Sequence, residues 1–435
     1  MRLLYTIAIH LYSLGVRVAA LSGHAKAKQW IEGRKAQAVE PAETSKQSDL
    51  RQVQEPLPPD DWIWFHAASL GEFEQGRPVI EALKRDCPRF KILLSFFSPS
   101  GYEIRKDYPL ADEVLYLPAD TPCNAEAWLQ RHHFVAAFFI KYEFWFNYMN
   151  ALKQNKIPLF YISLILSPKS FFFKPYGRWF RKQLDSVTHF FVQDEATAQL
   201  LHGIRFDNVT VCGDTRFDRV AAIAQQAKPF PEVERFINGR QCIIAGSTWP
   251  PDERLLAGFL HELPEDYCAI LAPHDVSDSH IAQIKAMFLE AQLYTELQPH
   301  IHSHILVVNT IGILSQLYQY ARFVYIGGGF GVNIHNIQEP VTFGCPVVFG
   351  PKYTSFKEAV DLVAMKGAFS VGNADELAEV FGCLMNDEPF YAQSSQTCKA
   401  YLKSQIGATK SIIDGVKKNY FHKKNKKFCF SDFNA

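Results

Sequence analysis

At 435 residues the chain is close to three times the roughly 150 of an average domain, so two domains are expected rather than one or three. Its 48% hydrophobic and 21% charged residues, with 24 Gly and 24 Pro, exclude collagen-like and disordered classes. Lys plus Arg (45) equals Asp plus Glu (45), so no global field draws it onto nucleic acid and any attraction to anions is local.

In chain order, residues 3–21 (LLYTIAIHLYSLGVRVAAL) have about the length of a bilayer span, interrupted by His10 and Arg17. Val18-Ala19-Ala20 imitates the end of a signal peptide, but Lys26, Lys28, Arg34 and Lys35 form a positive-inside flank. Residues 1–35 are therefore expected as an uncleaved membrane anchor, spanning or monotopic, with the bulk of the chain cytoplasmic. A core helix of the first domain is the competing reading. Residues 36–61 are polar and Pro-containing, as in a tether.

Short apolar runs then alternate with amphipathic stretches: WIWFHAA, KILLSFF, VLYLPA, FVAAFFI, PLFYISL, HFFVQD and VTVCGD. Continuous apolar strands between helices imply a parallel sheet covered on both faces. After a polar, Pro-bearing linker (226–241) the rhythm restarts with CIIAGST, YCAILAP, HILVVN, FVYIGGG and CPVVFG. Two Rossmann-like α/β domains are thus expected, over 62–225 and 242–410, followed by a basic tail, 411–435. In that tail KKNYFHKKNKK carries six Lys among eleven residues. It is either a solvated run or a polybasic segment for an anionic leaflet.

Ligand chemistry in paired α/β units falls on loops at the carboxyl ends of strands. After WIWF comes Ser69-Leu70-Gly71-Glu72, a turn that sets a carboxylate at a helix start. Glu72 is either a general base or a carboxylate complementing the helix dipole. Ser98, Ser100 and Gly101 follow KILLS in the same strand–turn–helix manner, suited to an anion or to ordinary turn chemistry. Lys141 and Glu143 close FVAAFFI, as site charges or as an internal ion pair. In the second half Gly246-Ser247-Thr248 opens a helix and suits a phosphate, although Ser and Thr are also preferred N-caps. The stretch 327–358 is densest: a Gly run, Gly328 and Gly329 included, followed by Asn333, His335, Asn336, Gln338 and Glu339. Glu339 is placed to accept from ribose hydroxyls. The pattern is neither GxGxxG opening a βαβ unit nor a P-loop. His300, His302 and His304 alternate without a carboxylate or Cys cluster and are expected as surface His, with a metal role the minor reading. Nine Cys without CxxC pairs give no disulfide framework, and a reducing compartment is the default.

Taken together, HAASLGE, SPSGYE, EFWFN, GDTRFD (213–218), GSTWPPDE, NTIGILSQLY (309–318), the HN-x-x-EP stretch (335–340) and GP followed by Ser355-Phe356 resemble the 3-deoxy-D-manno-octulosonic acid (Kdo) transferases of lipopolysaccharide synthesis. The blocks run in register over roughly 61–371. The resemblance implies a GT-B fold, two Rossmann-like domains facing a central cleft with an N-terminal membrane-anchor helix. It implies inverting transfer of Kdo from CMP-Kdo to a lipid A precursor at the cytoplasmic face of the inner membrane, with no catalytic metal and no cofactor. Glu72 matches the general base, with Glu143 supporting. Ser69, Gly71, Ser98, Ser100 and Gly101 fall on the acceptor side. Gly246, Ser247, Thr248, His274, Gly312, Gly328, Gly329, Asn333, His335, Asn336 and Glu339 fall on the donor side, Glu339 at the ribose. Two departures stand out. Lys141 occupies the place of the first of two acidic residues, with Phe146 where Pro is usual. Ala272-Pro273-His274 replaces a Pro-Arg-His block, so an arginine facing the nucleotide phosphate is missing, with Lys352 or Arg216 as candidate substitutes.

Overall fold

The computed structural model describes residues 1–39, 60–298 and 303–418. The apolar runs of the first half become seven strands: β1 (Asp61–Ala67), β2 (Lys91–Phe96), β3 (Glu113–Tyr116), β4 (His133–Ile140), β5 (Leu159–Leu164), β6 (His189–Val192) and β7 (Val209–Val211). They lie in the order β3-β2-β1-β4-β5-β6-β7, every pair parallel. Such a sheet needs apolar side chains on both faces, and all six residues of β5 are buried. The many Phe fill it: Phe65 stacks on Phe138 at 4.7 Å, and Phe138 on Phe160 at 5.1 Å.

A second seven-stranded sheet comprises β8 (Gln241–Thr248), β9 (Tyr267–Pro273), β10 (Gln292–Leu293), β11 (Ile305–Val307), β12 (Phe323–Ile326), β13 (Val347–Phe349) and β14 (Ala368–Ser370), in the order β10-β11-β9-β8-β12-β13-β14. Its pairs are parallel as well. In each sheet the order reverses beside the first strand, between β1 and β4 and between β8 and β12. Loops at the carboxyl ends part there, which is where such sheets carry ligands.

The chain divides into two compact units, Met1–Arg216 with the segment from Gly407 onward, and Phe217–Ile406. Three stretches differ from the sequence expectation. Helix α1 (Arg2–Leu21) is followed by α2 (Ala25–Val39), so the tether expected from residue 36 begins as helix. AKAKQWIEGRKAQAV consists largely of good helix formers, and polarity alone did not make it a loop. The stretch expected as a linker contains a helix, Pro231–Ile237, that buries Val233 and Phe236 in the second core from one face. The expected tail begins inside the helix Ala408–Val416, whose Ile412, Ile413 and Val416 join the first unit's core. The Lys-rich stretch from 419 on lies outside the described residues. The eight described cysteines are free thiols.

α1 has no buried residue, yet it is tied to the first unit. The Tyr5 hydroxyl donates to Asp120 Oδ2 at 2.5 Å, and Arg2 Nε donates to Asn147 Oδ1 at 3.0 Å. Asp120 also accepts from the backbone N–H groups of Asn147 and Tyr148.

Candidate active site

In the first unit β1 ends at Ala67, and Ser69, in extended backbone, starts helix α3 (Leu70–Asp86). Its hydroxyl does not cap the helix backbone; it donates to Glu72 Oε2 in a short hydrogen bond. Glu72 is half-buried in the first helical turn, where the dipole favours its charge, and Gly71 is exposed beside it. The neighbouring loop after β2 is stitched on by Ser98 N–H to the Ala68 carbonyl, 2.7 Å. Ser98 then caps α4 (Pro99–Arg105), accepting from Ser100 N–H at 3.3 Å, with the two hydroxyls 3.0 Å apart. Gly101 is packed against the Phe96 ring.

A third loop, after β4, completes the group. Lys141 turns the chain in the left-handed region, φ 59°, and its N–H donates to the Ile162 carbonyl at 3.0 Å. Glu143 Oε2 then accepts from Trp145 Nε1 at 2.9 Å, and Trp145 Nε1 also reaches His66 Nε2 at 2.9 Å. His66 is fully buried on β1, and its Nδ1 meets Ser95 Oγ at 2.8 Å; Ser95 in turn accepts from Trp64 Nε1 and donates to the Phe65 carbonyl. The single Trp145 Nε1–H is thus shared between His66 Nε2 and Glu143 Oε2, which lie 3.5 Å apart. The Trp145 ring lies 4.7 Å from that of Phe97, joining the β2 and β4 loops. Tyr142 is pushed above the ordinary tyrosine value by burial and then by the charges of Glu72 and Glu143. His66, Ser95 and Trp145 were not among the sequence candidates. The signal was present, since a histidine within an otherwise apolar strand must find partners when buried.

In the second unit many sequence candidates are engaged by the fold. Ser247 turns at φ 54°. Thr248 Oγ1 donates to Glu253 Oε1 at 3.0 Å, and buried Glu253 also meets His280 Nε2 at 3.0 Å. The Gly246 carbonyl accepts from Gly327 N–H at 2.9 Å. A Cβ on Gly327 would sit 2.3 Å from the Ser247 oxygen, and one on Gly329 would sit 2.7 Å from Gly350. The glycine run thus serves backbone packing. Asp252, buried and absent from the sequence candidates, holds it: it accepts from Trp249 N–H (3.0 Å), Gly328 N–H (2.9 Å) and the Tyr325 hydroxyl (2.8 Å).

Side chains at this edge retain capacity. Trp249 stacks on His274 at 4.6 Å and His274 on His335 at 4.5 Å, while Trp249 Nε1 donates to His335 Nε2 at 2.9 Å. Burial, then the neighbouring His274, holds His335 below the ordinary imidazole value. Glu339 is held by Asn336 Nδ2 at 3.2 Å and raised above the usual carboxylate range by burial, against the opposing pull of Arg219. The Asn333 backbone oxygen packs over Gly328, whereas Gly312 sits in the loop after β11 at φ 98° with open space beside it. Of the two candidate substitutes for the missing arginine, Lys352 Nζ donates to the Gly331 carbonyl and Arg216 is paired with Asp214. His304 Nδ1 lies 3.1 Å from the Tyr267 carbonyl, while His300 and His302 lie outside the described residues.

These two parallel-sheet units resemble GT-B glycosyltransferase-like folds. A solved UDP-GlcNAc 2-epimerase from Neisseria meningitidis, bound to UDP-GlcNAc, matches 82% of this chain and 100% of its own at TM-score 0.59 and 15% identity, a likeness of fold. The family model described as 3-deoxy-D-manno-octulosonic-acid transferase (kdotransferase) matches residues 31–219. The chain is similar to a 3-deoxy-D-manno-octulosonic acid transferase of Aquifex aeolicus, 25% identical over 72% of this chain and 83% of the relative. It is also similar to one of Chlamydia muridarum, 26% identical over 79% and 82%. The resemblance to Kdo transferases drawn from the motifs is borne out. Among the described residues α1 is the one helix whose length and composition suit a membrane span, which makes it a candidate anchor.

Proposed function

We propose that the protein is an inverting glycosyltransferase that moves Kdo from CMP-Kdo to a lipid A precursor at the cytoplasmic face of the inner membrane, without a cofactor or catalytic metal. The observation that carries this reading is Glu72, at the carboxyl end of β1 and within the stretch matched by the family model. Ser69 occupies one carboxylate oxygen and leaves the other to take the proton of an acceptor hydroxyl. Inversion needs one base, with a leaving group that departs as an anion opposite it. Glu143, fixed by Trp145 and 3.5 Å from His66 Nε2, supports that base by orienting the acceptor.

CMP leaves as a phosphate anion and needs donors more than it needs an acid. In this reading the His274–His335 pair and Lys352 supply them, and Glu339 takes the ribose hydroxyls. The positive charge of the missing arginine is then shared among weaker groups. Reconstituted protein incubated with a lipid A precursor and CMP-Kdo generated in situ should add one or more Kdo units to the lipid by mass, and Glu72→Gln should abolish the gain. A CMP-bound protein that adds none, or tighter binding of UDP than of CMP, would overturn the reading.

A further inference from the structure

A cavity of about 500 Å³ lies beneath the α1–α2 hairpin, against the carboxyl end of β3 and the helix Pro122–Leu129. Arg17, Arg34, Lys35 and Arg131 line it, and no carboxylate does among the described residues. In a chain whose charges balance 45 to 45, that is a local excess of one sign. Arg131 has a loose partner in Glu113 at 3.8 Å. Arg34 has carbonyl and aromatic partners instead: it donates to the oxygens of Leu117, Phe97 and Trp30, and lies 3.7 Å over the Trp30 ring. Burial drives its pKa down to about 9, the mark of a cation that the fold has not neutralised.

The lining residues Trp30, Gln37 and Trp128 keep Nε1, Nε2 and Nε1 sealed from solvent, so these side chains give the cavity a packed wall rather than open donors. Trp128 is only 3% exposed. The Gln37 amide is fixed, because its oxygen accepts from Tyr116 N–H at 2.9 Å. Four cations and no carboxylate ask for a ligand that is anionic and rich in acceptors, and phosphate oxygens answer both demands.

The surroundings say what carries that phosphate. An adjoining cavity of about 570 Å³ shares Arg17, Ile31 and Lys35 and opens past Ala20 and Leu21 at the end of α1. Leu4, Ile7, Leu11, Leu14, Val18 and Leu21 repeat every three or four residues along α1, and all are exposed. Tyr5 and Thr6 on the other side bond the folded unit. A helix held by one face with a continuous apolar stripe on the other lies along a bilayer surface. We propose that this cavity binds the phosphate of an anionic phospholipid, its acyl chains leaving past Leu21 along the outward stripe of α1. None of the lining residues is among the acceptor or donor candidates, so the inference does not rest on the transfer reaction.

The test is native mass spectrometry of the full chain in non-ionic detergent with short-chain phosphatidylglycerol or phosphatidylcholine. One phosphatidylglycerol per chain should be retained, with phosphatidylcholine at least about tenfold weaker. The exposed pair Arg17→Gln with Lys35→Gln should weaken retention about tenfold or more. Arg131→Lys keeps the net charge while removing the planar guanidinium fork, so a loss of threefold or more there separates a seated headgroup from general attraction to an anionic surface. Unaltered retention in both variants would overturn the proposal, as would equal retention of phosphatidylcholine. It would equally fall if inorganic phosphate or CMP displaced the lipid at matched concentration, or if only a lipid A precursor were retained.

Discussion

The carboxyl edges of the two sheets follow one strand–turn–helix plan and use their polar groups in opposite ways. At the first edge a largely buried polar network, Trp64–Ser95–His66–Trp145–Glu143, accompanies a carboxylate, Glu72, whose one side-chain hydrogen-bond partner among the described residues is the Ser69 hydroxyl. At the second, the Thr248 hydroxyl is spent on Glu253, while Asp252 and the glycines hold the backbone of 246–249 to that of 327–329. A turn rich in Gly, Ser and Thr therefore does not by itself mark a ligand site. The informative groups are those with hydrogen-bonding capacity left after the fold is satisfied.

The largest expected effect tests the first edge. Glu72→Gln keeps an oxygen for the Ser69 hydroxyl, so stability should change by less than about 1 kcal/mol. Turnover should nevertheless fall by about 10² to 10⁴, the usual worth of a positioned base. Steady-state rates and a thermal melt of the same sample check both halves. A variant that kept its rate would remove Glu72 from the chemistry.

Asp252→Ala is the counterpart at the second edge. It strands the N–H groups of Trp249 and Gly328 and the Tyr325 hydroxyl, each costing about 1–3 kcal/mol when buried and unpaired. The expected loss is about 3–6 kcal/mol in urea unfolding. If the unfolding midpoint instead held while CMP binding collapsed, the glycine loop would be built for the ligand and the contrast between the edges would fail.

Sequence reading reached the architecture because all-parallel sheets need uninterrupted apolar strands, and those runs are long and regular here. It placed Glu72 at a helix start after β1 from the Ser-x-Gly-Glu turn, as the structure has it, whereas its role as a base came only with the family resemblance. It missed Asp252, whose three donors come from 249, 325 and 328, positions brought together only by the β8–β12 pairing. It also placed the start of the tether in a loop, because polarity from 36 on was read without helix propensity, whereas the helix runs to Val39. Chemistry that depends on one strand and its own turn was legible, whereas chemistry that depends on neighbouring strands was not.

The first edge contains its own contrast. Asp120, after β3, is fully buried and accepts from Tyr5, Asn147 and Tyr148. Burial outweighs these donors and the nearby Arg2, and raises it to about 6. Because the folded value exceeds the unfolded one, its stabilising contribution is full below about pH 4 and is lost as pH rises through about 6. About 3 kcal/mol separates the two limits. Melts across that window should show the wild type losing stability relative to Asp120→Asn. Parallel curves would mean that the site is wetter than its packing indicates.

The smallest effect concerns Ser98, which resembles Ser69 in sequence but caps its helix. Ser69 gives its hydroxyl to Glu72, while Ser98 accepts the N–H of Ser100 in the first turn of α4. Ser98→Ala should therefore cost about 1 kcal/mol, the ordinary worth of an N-cap, and Ser98→Gly only a few tenths. Ser69→Ala should leave the unfolding midpoint nearly unchanged, since no helix N–H depends on it, while freeing the Glu72 carboxylate to rotate and lowering the rate. A midpoint that falls in both alanine variants alike would show Ser69 to be a cap after all, and Glu72 to be held by the helix start rather than by the hydroxyl.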